Sequence, residues 1–481
     1  MKKLIAKISA ILTAAVMFVT AAAIPVSADT AKTVPDTECM RFVDSLGAGW
    51  NLGNAFEAAD DQWVSGEMDY EGAWLPDRSI RTTKALIQTV KKAGFSTIRL
   101  PVSWHNHVDK NYKISDKWLA RYKEVVDWCI DEGMYVIVNV HHDVKKGYYY
   151  PTSDELTTSK KFMKKIWEQL CDTFGSYDEH ILFEAINEPR PSESEYEWWY
   201  PDWSIPDEVK DSLECINKLN QTFVDTVRKS GGKNKNRYLL VGGYDTDGTK
   251  KGILSKYFKM PTDTVKNKLI ANVHYYCYDL KFEKSLIDNL YDTFVAKGIP
   301  VVFSEFGLKE NKDDAEGFYL YDRTAESAKT LGEIASYARK HGISCLYWDN
   351  NHGAKGVYGF KIIDRKTAKV DLPTIVKAIV DGGKPAFTQK TASVESKPKV
   401  TATAAKTKVQ LKWKKIDGAT KYAVYQYKSG KFTKVKTVTG TSAVIKSLTS
   451  GRTYQFIVRA YVNGKWTTMK TTDIVKVTTK K

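Results

Sequence analysis

Paired cysteines, nucleotide-binding glycine loops and solenoid repeats are all missing from this 481-residue chain, and each absence closes off a class of protein. Its six cysteines, Cys39, Cys129, Cys171, Cys215, Cys277 and Cys345, stand singly in apolar segments, with no C-x-x-C pair and no dense cluster. That spacing argues against a disulfide framework and a zinc site, and it reads the thiols as small core groups. No G-x-G-x-x-G opens a helix and no P-loop occurs, so neither a nucleotide cofactor nor a metal is expected. Acidic residues are scarce in one region only. Residues 388–481 carry 21 Lys and Arg against 3 Asp and Glu, a balance of +18, so of the chain's +16 the remainder, residues 1–387, contributes −2. The basicity belongs to the tail. It is expected to serve solubility or contact with an acidic cell-wall surface, and no nucleic-acid partner is expected.

What is present begins with a leader. Lys2 and Lys3 precede an apolar run from Leu4 to Pro25, and Val26-Ser27-Ala28 supplies small residues for a signal peptidase, with no charged stop-transfer flank after it. Residues 1–28 are expected to be a cleaved signal peptide, leaving a secreted protein with no membrane association.

From Gly47 onward, short apolar runs alternate with amphipathic segments of helical length, the pattern of a parallel α/β sheet or barrel. Eight strands are predicted near 49–52, 97–101, 135–140, 181–186, 238–242, 269–273, 300–304 and 343–347. Helices are predicted over 81–93, 118–132, 160–174, 209–229 and 323–341. Eight strands in about 340 residues fit a (β/α)8 barrel better than an open doubly wound sheet. The barrel is placed at 36–384, followed by a linker at 385–398 rich in Ser, Thr and Lys. Over 399–481 the period becomes two, as in Val409-Gln410-Leu411-Lys412-Trp413, with turns at Asp417-Gly418, Ser429-Gly430 and Asn463-Gly464. This predicts a small all-β, immunoglobulin-like sandwich. Leu448 to Tyr454 resembles the tyrosine corner of a fibronectin type III module, with Trp413 as its core tryptophan.

In a barrel the informative residues are polar ones at the strand ends. Asn51 and Asn54 follow the first strand, Arg99 lies on the second, His141-His142-Asp143 follow the third and Asn187-Glu188 the fourth. His274-Tyr275-Tyr276 follow the sixth, Glu305 the seventh and Trp348-Asp349-Asn350 the eighth. Any one of them reads as a satisfied core group; seven coincidences at one face do not. Glu188 and Glu305 each end an apolar run, and glycoside hydrolysis needs two carboxyls, one to protonate the leaving oxygen and one to attack the sugar or activate water. Arg99 is placed to hold Glu305 ionised, and Glu188 is expected to sit in a drier setting with a raised pKa.

Gly49-Trp50-Asn51-Leu52-Gly53-Asn54, Ile98 to Trp104, Asn139-Val140-His141-His142, Asn187-Glu188-Pro189, His274-Tyr275-Tyr276, Ser304-Glu305-Phe306-Gly307 and Tyr347-Trp348-Asp349-Asn350 together resemble glycoside hydrolase family 5, in family order from about Cys39 to Asp381. The resemblance implies a (β/α)8 barrel and a retaining mechanism, with Glu188 as acid/base and Glu305 as nucleophile. It implies that Arg99, His141, Asn187, His274, Tyr276 and Trp348 line the subsite of attack, with Asn187 bonding the 2-hydroxyl, Tyr276 bonding Glu305 and Trp348 beneath the ring. Asn54 would support that floor, and His142 would line the subsite or brace it from behind. The flanking residues, Arg190 included, look most like the β-1,4-glucan and xyloglucan endo-hydrolases. Asp143, where Glu is expected, and Cys277, where proline is commoner, depart from the pattern and bear on substrate preference. Aromatic loop residues, Trp198-Trp199-Tyr200, Trp203 and Tyr148-Tyr149-Tyr150, are candidate sugar platforms, with Trp63 and Trp74 behind them.

The expectation is thus a secreted, monomeric, cofactor-free retaining endo-β-1,4-glucanase acting on β-glucan polysaccharide. Xyloglucan, mixed-linkage glucan and mannan are the alternative substrates. A non-catalytic carbohydrate-binding or adhesion protein is the alternative of another class, and the presence of both carboxyls argues against it.

Overall fold

A computed structural model describes residues 32–481 apart from 61, 202, 279, 310–318, 354–358, 386–397, 417–418, 429–430, 463–464 and 468–473. The expected signal peptide, nearly all of the expected linker and the three expected turn pairs lie outside the described residues. The chain forms two compact units, 1–386 and 387–481.

In the first unit eight parallel strands close into a barrel in chain order: β1 (Gly49–Leu52), β2 (Thr97–Leu100), β3 (Tyr135–Asn139), β4 (Ile181–Glu184), β5 (Leu239–Val241), β6 (Leu269–Tyr278), β7 (Val301–Lys309) and β8 (Ile343–Asp349), with β8 paired back onto β1. Their near-continuous apolar sequences are what a sheet buried on both faces requires. The five predicted helices all form, and their ends follow local capping chemistry. Thr83 accepts from the Leu86 amide at 3.2 Å to start the helix Lys84–Ala93, which stops where Gly94 takes φ +109°. In Asp116–Asp131 the buried stripe Trp118, Tyr122, Val125, Val126 and Cys129 recurs at helical spacing and faces the barrel. Helices outside the predicted set include Lys284–Thr293, Pro373–Gly382 and Glu38–Ser45. Glu38–Ser45 brings Cys39, Phe42, Val43 and Leu46 against Ile137, Leu182, Leu240, Ile270, Val302 and Leu346, and so plugs the barrel interior.

The structure corrects the length of two strands. β6 and β7 run on past the expected ends at 273 and 304, pairing His274 with Glu305 through Tyr278 with Lys309 after a register shift at Val273/His274. His274, Tyr276 and Glu305 are therefore held by a strand ladder and not by loops. Trp348 and Asp349 likewise belong to β8.

The second unit is all β. Strands 400–404, 409–413 and 442–445 form one antiparallel sheet, and 431–438, 419–428, 453–462, 465–466 and 475–478 the other. Its core includes Val409, Leu411, Trp413, Tyr422, Val424 and Phe456. The Tyr454 hydroxyl accepts from the Thr449 amide at 2.7 Å. All six cysteines are buried thiols outside any disulfide.

Candidate active site

The mouth of the barrel is built around Arg99, which β2 carries into the interior with no solvent exposure. A buried guanidinium is tolerable only if its donors are taken, and here they are. Nε and Nη2 form a fork on Glu184 at 2.6 and 2.7 Å; Nη1 donates to Asn51 Oδ1 at 3.0 Å and Glu305 Oε1 at 2.7 Å; Nη2 also reaches Asn187 Oδ1 at 2.7 Å. Strands β1, β2, β4 and β7 are thus joined through one side chain. Asn51 closes the ring by donating to the Ser304 carbonyl at 2.8 Å.

Glu305 receives a second donor from Tyr276, whose hydroxyl lies 2.7 Å from Oε2. Burial, reinforced by the Glu305 charge, raises the Tyr276 pKa well above its ordinary value, so the phenol keeps its proton and donates. His274 stands between the two carboxylates: its Nδ1 is 2.9 Å from Glu188 Oε1 and 3.5 Å from Glu305 Oε2. One oxygen each of Glu188 and Glu305 and a ring nitrogen of His274 lie within 4.8 Å of one another. Among the described residues these three form the one group of His, Cys, Asp or Glu whose donor atoms converge as a metal site would require. Glu305 is engaged by Arg99 and Tyr276 and Glu188 by His274, an arrangement suited to moving protons.

Glu188 lies beyond the end of β4, after Asn187, and here the structure corrects an expectation. Burial pushes its carboxyl up, but the hydrogen bond and charge of His274, with Arg190 and His142 behind, outweigh that and hold it at about 2. The raised value expected from dryness alone left out His274, which had been assigned to the sugar.

The remaining predicted residues gather nearby. The Asn187 amide donates to the Val140 carbonyl at 2.9 Å, and its side-chain oxygen is taken by Arg99, which leaves the Nδ2 donor for the cleft. The Asn139 amide donates to His141 Nδ1 at 3.0 Å, so the ring is neutral with its proton on Nε2. Burial pushes the His141 pKa well down and that of His142 to about 4. The Trp348 ring lies parallel to that of His141 at 6.0 Å, and Gly53 makes room for it, since a Cβ there would stand 2.7 Å from the indole. His141, His142, Asn187, Glu188, Tyr276, Glu305 and Trp348 all line one cleft of about 210 Å³. Asn54 does not reach its wall. At φ +60° it donates to the Trp74 carbonyl at 3.2 Å, and the Trp74 ring packs 5.3 Å from that of His142.

Of the loop aromatics, Trp198 lines the cleft, whereas Tyr149 and Tyr200 are buried and Trp63, Trp199 and Trp203 are exposed away from its wall. Neither departure from the family pattern lines it. Asp143 accepts from the Trp104 and His105 amides at 2.7 and 2.6 Å, capping a turn, and Cys277 donates to the Lys281 carbonyl at 2.9 Å.

The family model for cellulase, glycosyl hydrolase family 5, matches residues 57–354. The chain belongs to glycosyl hydrolase family 5. Endoglucanase A of Clostridium longisporum is 33% identical over 366 residues, which cover 71% of this chain and 65% of that protein, so the chain spans slightly less than two thirds of that relative's length. Endoglucanase B of Ruminococcus albus is 33% identical over 346 residues, 69% of this chain and 77% of its own. Among solved structures, a mutant family 5 lichenase from Caldicellulosiruptor sp. F32 in complex with cellotetraose superposes with a TM-score of 0.66 at 41% identity, over 73% of this chain and 97% of its own.

Within this family member, sequence reasoning named Asn350 at a strand end without a role and missed Glu184, Phe360, Lys309 and Asp245. Asn350, Phe360 and Lys309 line the cleft, and Glu184 anchors Arg99. Glu184 carried a legible signal, a charge inside an apolar strand, which is buried only when paired.

Proposed function

We propose that this chain is a secreted endo-β-1,4-glucanase that hydrolyses β-glucan chains with retention, Glu305 attacking the anomeric carbon and Glu188 serving as acid and then base. The observation that carries the reading is the approach of Glu188 and Glu305 oxygens to within 4.8 Å. An inverting enzyme must fit a water between its carboxyls and sets them about 6.5–9.5 Å apart, whereas direct attack needs about 5–5.5 Å. Arg99 and Tyr276 hold Glu305 aimed. Glu188, ionised in the empty cleft, gains its proton as the glycan displaces water and the repulsion between the two carboxylates strengthens. Asn187 Nδ2 donates to the 2-hydroxyl, and Trp348 supplies the apolar floor.

The experiment is reducing-sugar release from carboxymethylcellulose, with Glu305→Gln as control. Release by the wild type and its loss in the variant are expected. No release from any β-glycan would return the chain to the non-catalytic, carbohydrate-binding reading. A second substrate, mixed-linkage β-glucan, is favoured by the likeness to the family 5 lichenase, and lichenan belongs beside carboxymethylcellulose in the same assay.

The second unit reads as a fibronectin type III-like module, supported by its two antiparallel sheets, the Trp413 core and the Tyr454 to Thr449 bond. Its charge suits contact with an anionic cell wall. A chain ending near Asp381 is expected to hydrolyse soluble substrate normally.

A further inference from the structure

Arg190, directly after Pro189, is buried, and its guanidinium stands among three carboxylates. Nη1 is 3.6 Å from Glu188 Oε2, while Nε is 3.4 Å from Glu197 Oε1 and 4.0 Å from Asp245 Oδ1. One positive charge is divided three ways, and the Nε makes no hydrogen bond. Asp245 Oδ1 is also buried without a hydrogen-bond partner.

Asp245 arrives from the turn after β5, and its backbone is unusual. Asp245 and Thr246 take φ +51° and +50°, two consecutive residues with side chains in the left-handed region. Such a turn costs energy and persists where the surroundings over-determine it. Here the turn is tied to the backbone on both sides of Glu188. The Asp245 amide donates to the Pro189 carbonyl at 3.0 Å, and the Thr246 hydroxyl donates to the Asn187 carbonyl.

We propose that Asp245 is a positioning residue for Glu188, acting through Arg190 and the 245–246 turn to fix how much of the Arg190 charge Glu188 receives. The proposal rests on the glucanase reading. It makes the site one of three carboxyls, with the third tuning the proton affinity of the acid/base.

The titrations agree with this geometry. Burial, then the charge of Glu188, pushes the Asp245 carboxyl well above its ordinary range while Glu188 lies below its own. The charge of Glu188 thus bears on Asp245, and titrations that influence each other belong to the pair. Glu188 is faced by His274 from β6, by His142 from the segment after β3 and by Arg190. Asp245 is faced by Arg190, by Asp247 of its own turn and by Lys309 at the end of β7.

The test is the pH profile of kcat, which reports the substrate complex, on soluble β-glucan for the full chain and for Asp245→Asn and Asp245→Gly. Both replacements accept the left-handed backbone, so the turn is kept and the charge goes. Above the pH at which Asp245 ionises, the variants lack its negative charge beside Arg190, so Glu188 gives up its proton sooner. The alkaline limb is expected to move to lower pH by about one unit in both variants, with KM at the optimum within about twofold of wild type. An unshifted limb in an active variant, a uniform loss of rate at every pH, or failure of both variants to fold would overturn the proposal and leave Asp245 a structural residue. A wild type that releases no sugar from any β-glucan would instead overturn the glucanase reading on which the proposal stands.

Discussion

Arg99 and Arg190 each serve one of the two carboxyls at the mouth, and they do it in opposite ways. Around Arg99 the contacts run from 2.6 to 3.0 Å, with the guanidinium fork closed on Glu184. Around Arg190 the three carboxylates stand 3.4–4.0 Å away, and the flat of the guanidinium lies 3.4 Å from the centre of the Trp198 ring, a side chain 59% exposed. The first arrangement fixes Glu305 in one position. The second leaves the charge of Glu188 adjustable, as a group that must give and take back a proton requires.

Removing the closed arginine should therefore cost the most. Arg99→Ala leaves Glu184 and Glu305 buried without their cation, and is expected to cost about 3–5 kcal/mol of stability together with all activity. Thermal or urea unfolding checks it, and a well-folded Arg99→Ala protein would break the contrast. Arg190→Ala is expected to cost less, about 1–2 kcal/mol, because its ion pairs are long. It removes a cation from beside Glu188, so the alkaline limb of kcat should move to higher pH, the opposite of the shift expected for Asp245→Asn.

Stability at acid pH sharpens the same point. The folded-state value of Glu188 lies below its unfolded value, so its contribution is present above the unfolded pKa of about 4.3 and is lost as pH falls through the folded value of about 2. Melting temperature followed across that window should fall in the wild type with a slope that Glu188→Gln reduces. Smallest of all, Trp198→Ala is expected to change stability by no more than about 0.5 kcal/mol, since the ring is mostly in solvent, while raising KM if the ring meets substrate.

How much of this was legible in the sequence follows the same division. The barrel could be read because eight apolar runs alternate with amphipathic helices, and each polar strand end was visible as a break in an apolar run. The pairing of Arg99 with Glu184, 85 residues apart, could not be read, because only the closed barrel brings the β2 guanidinium and the β4 carboxylate together. The extension of β6 and β7 was hidden because His274-Tyr275-Tyr276 interrupts the apolar pattern, yet the two strands support each other through Tyr278 and Lys309. Asp245 gave no signal, since a loop aspartate is ordinary until the turn after β5 lays it against Arg190. The low proton affinity of Glu188 was misread for the same reason: it depends on which residue His274 faces, and only the fold decides that.

The central claim is that Glu305, held in place by Arg99 and Tyr276, attacks the sugar while Glu188 handles the proton. Proton NMR of the anomeric signal during the first minutes of cello-oligosaccharide hydrolysis tests it most directly. The account predicts that the β-anomer appears first and the α-anomer only as mutarotation proceeds. An α-anomer formed first would contradict it.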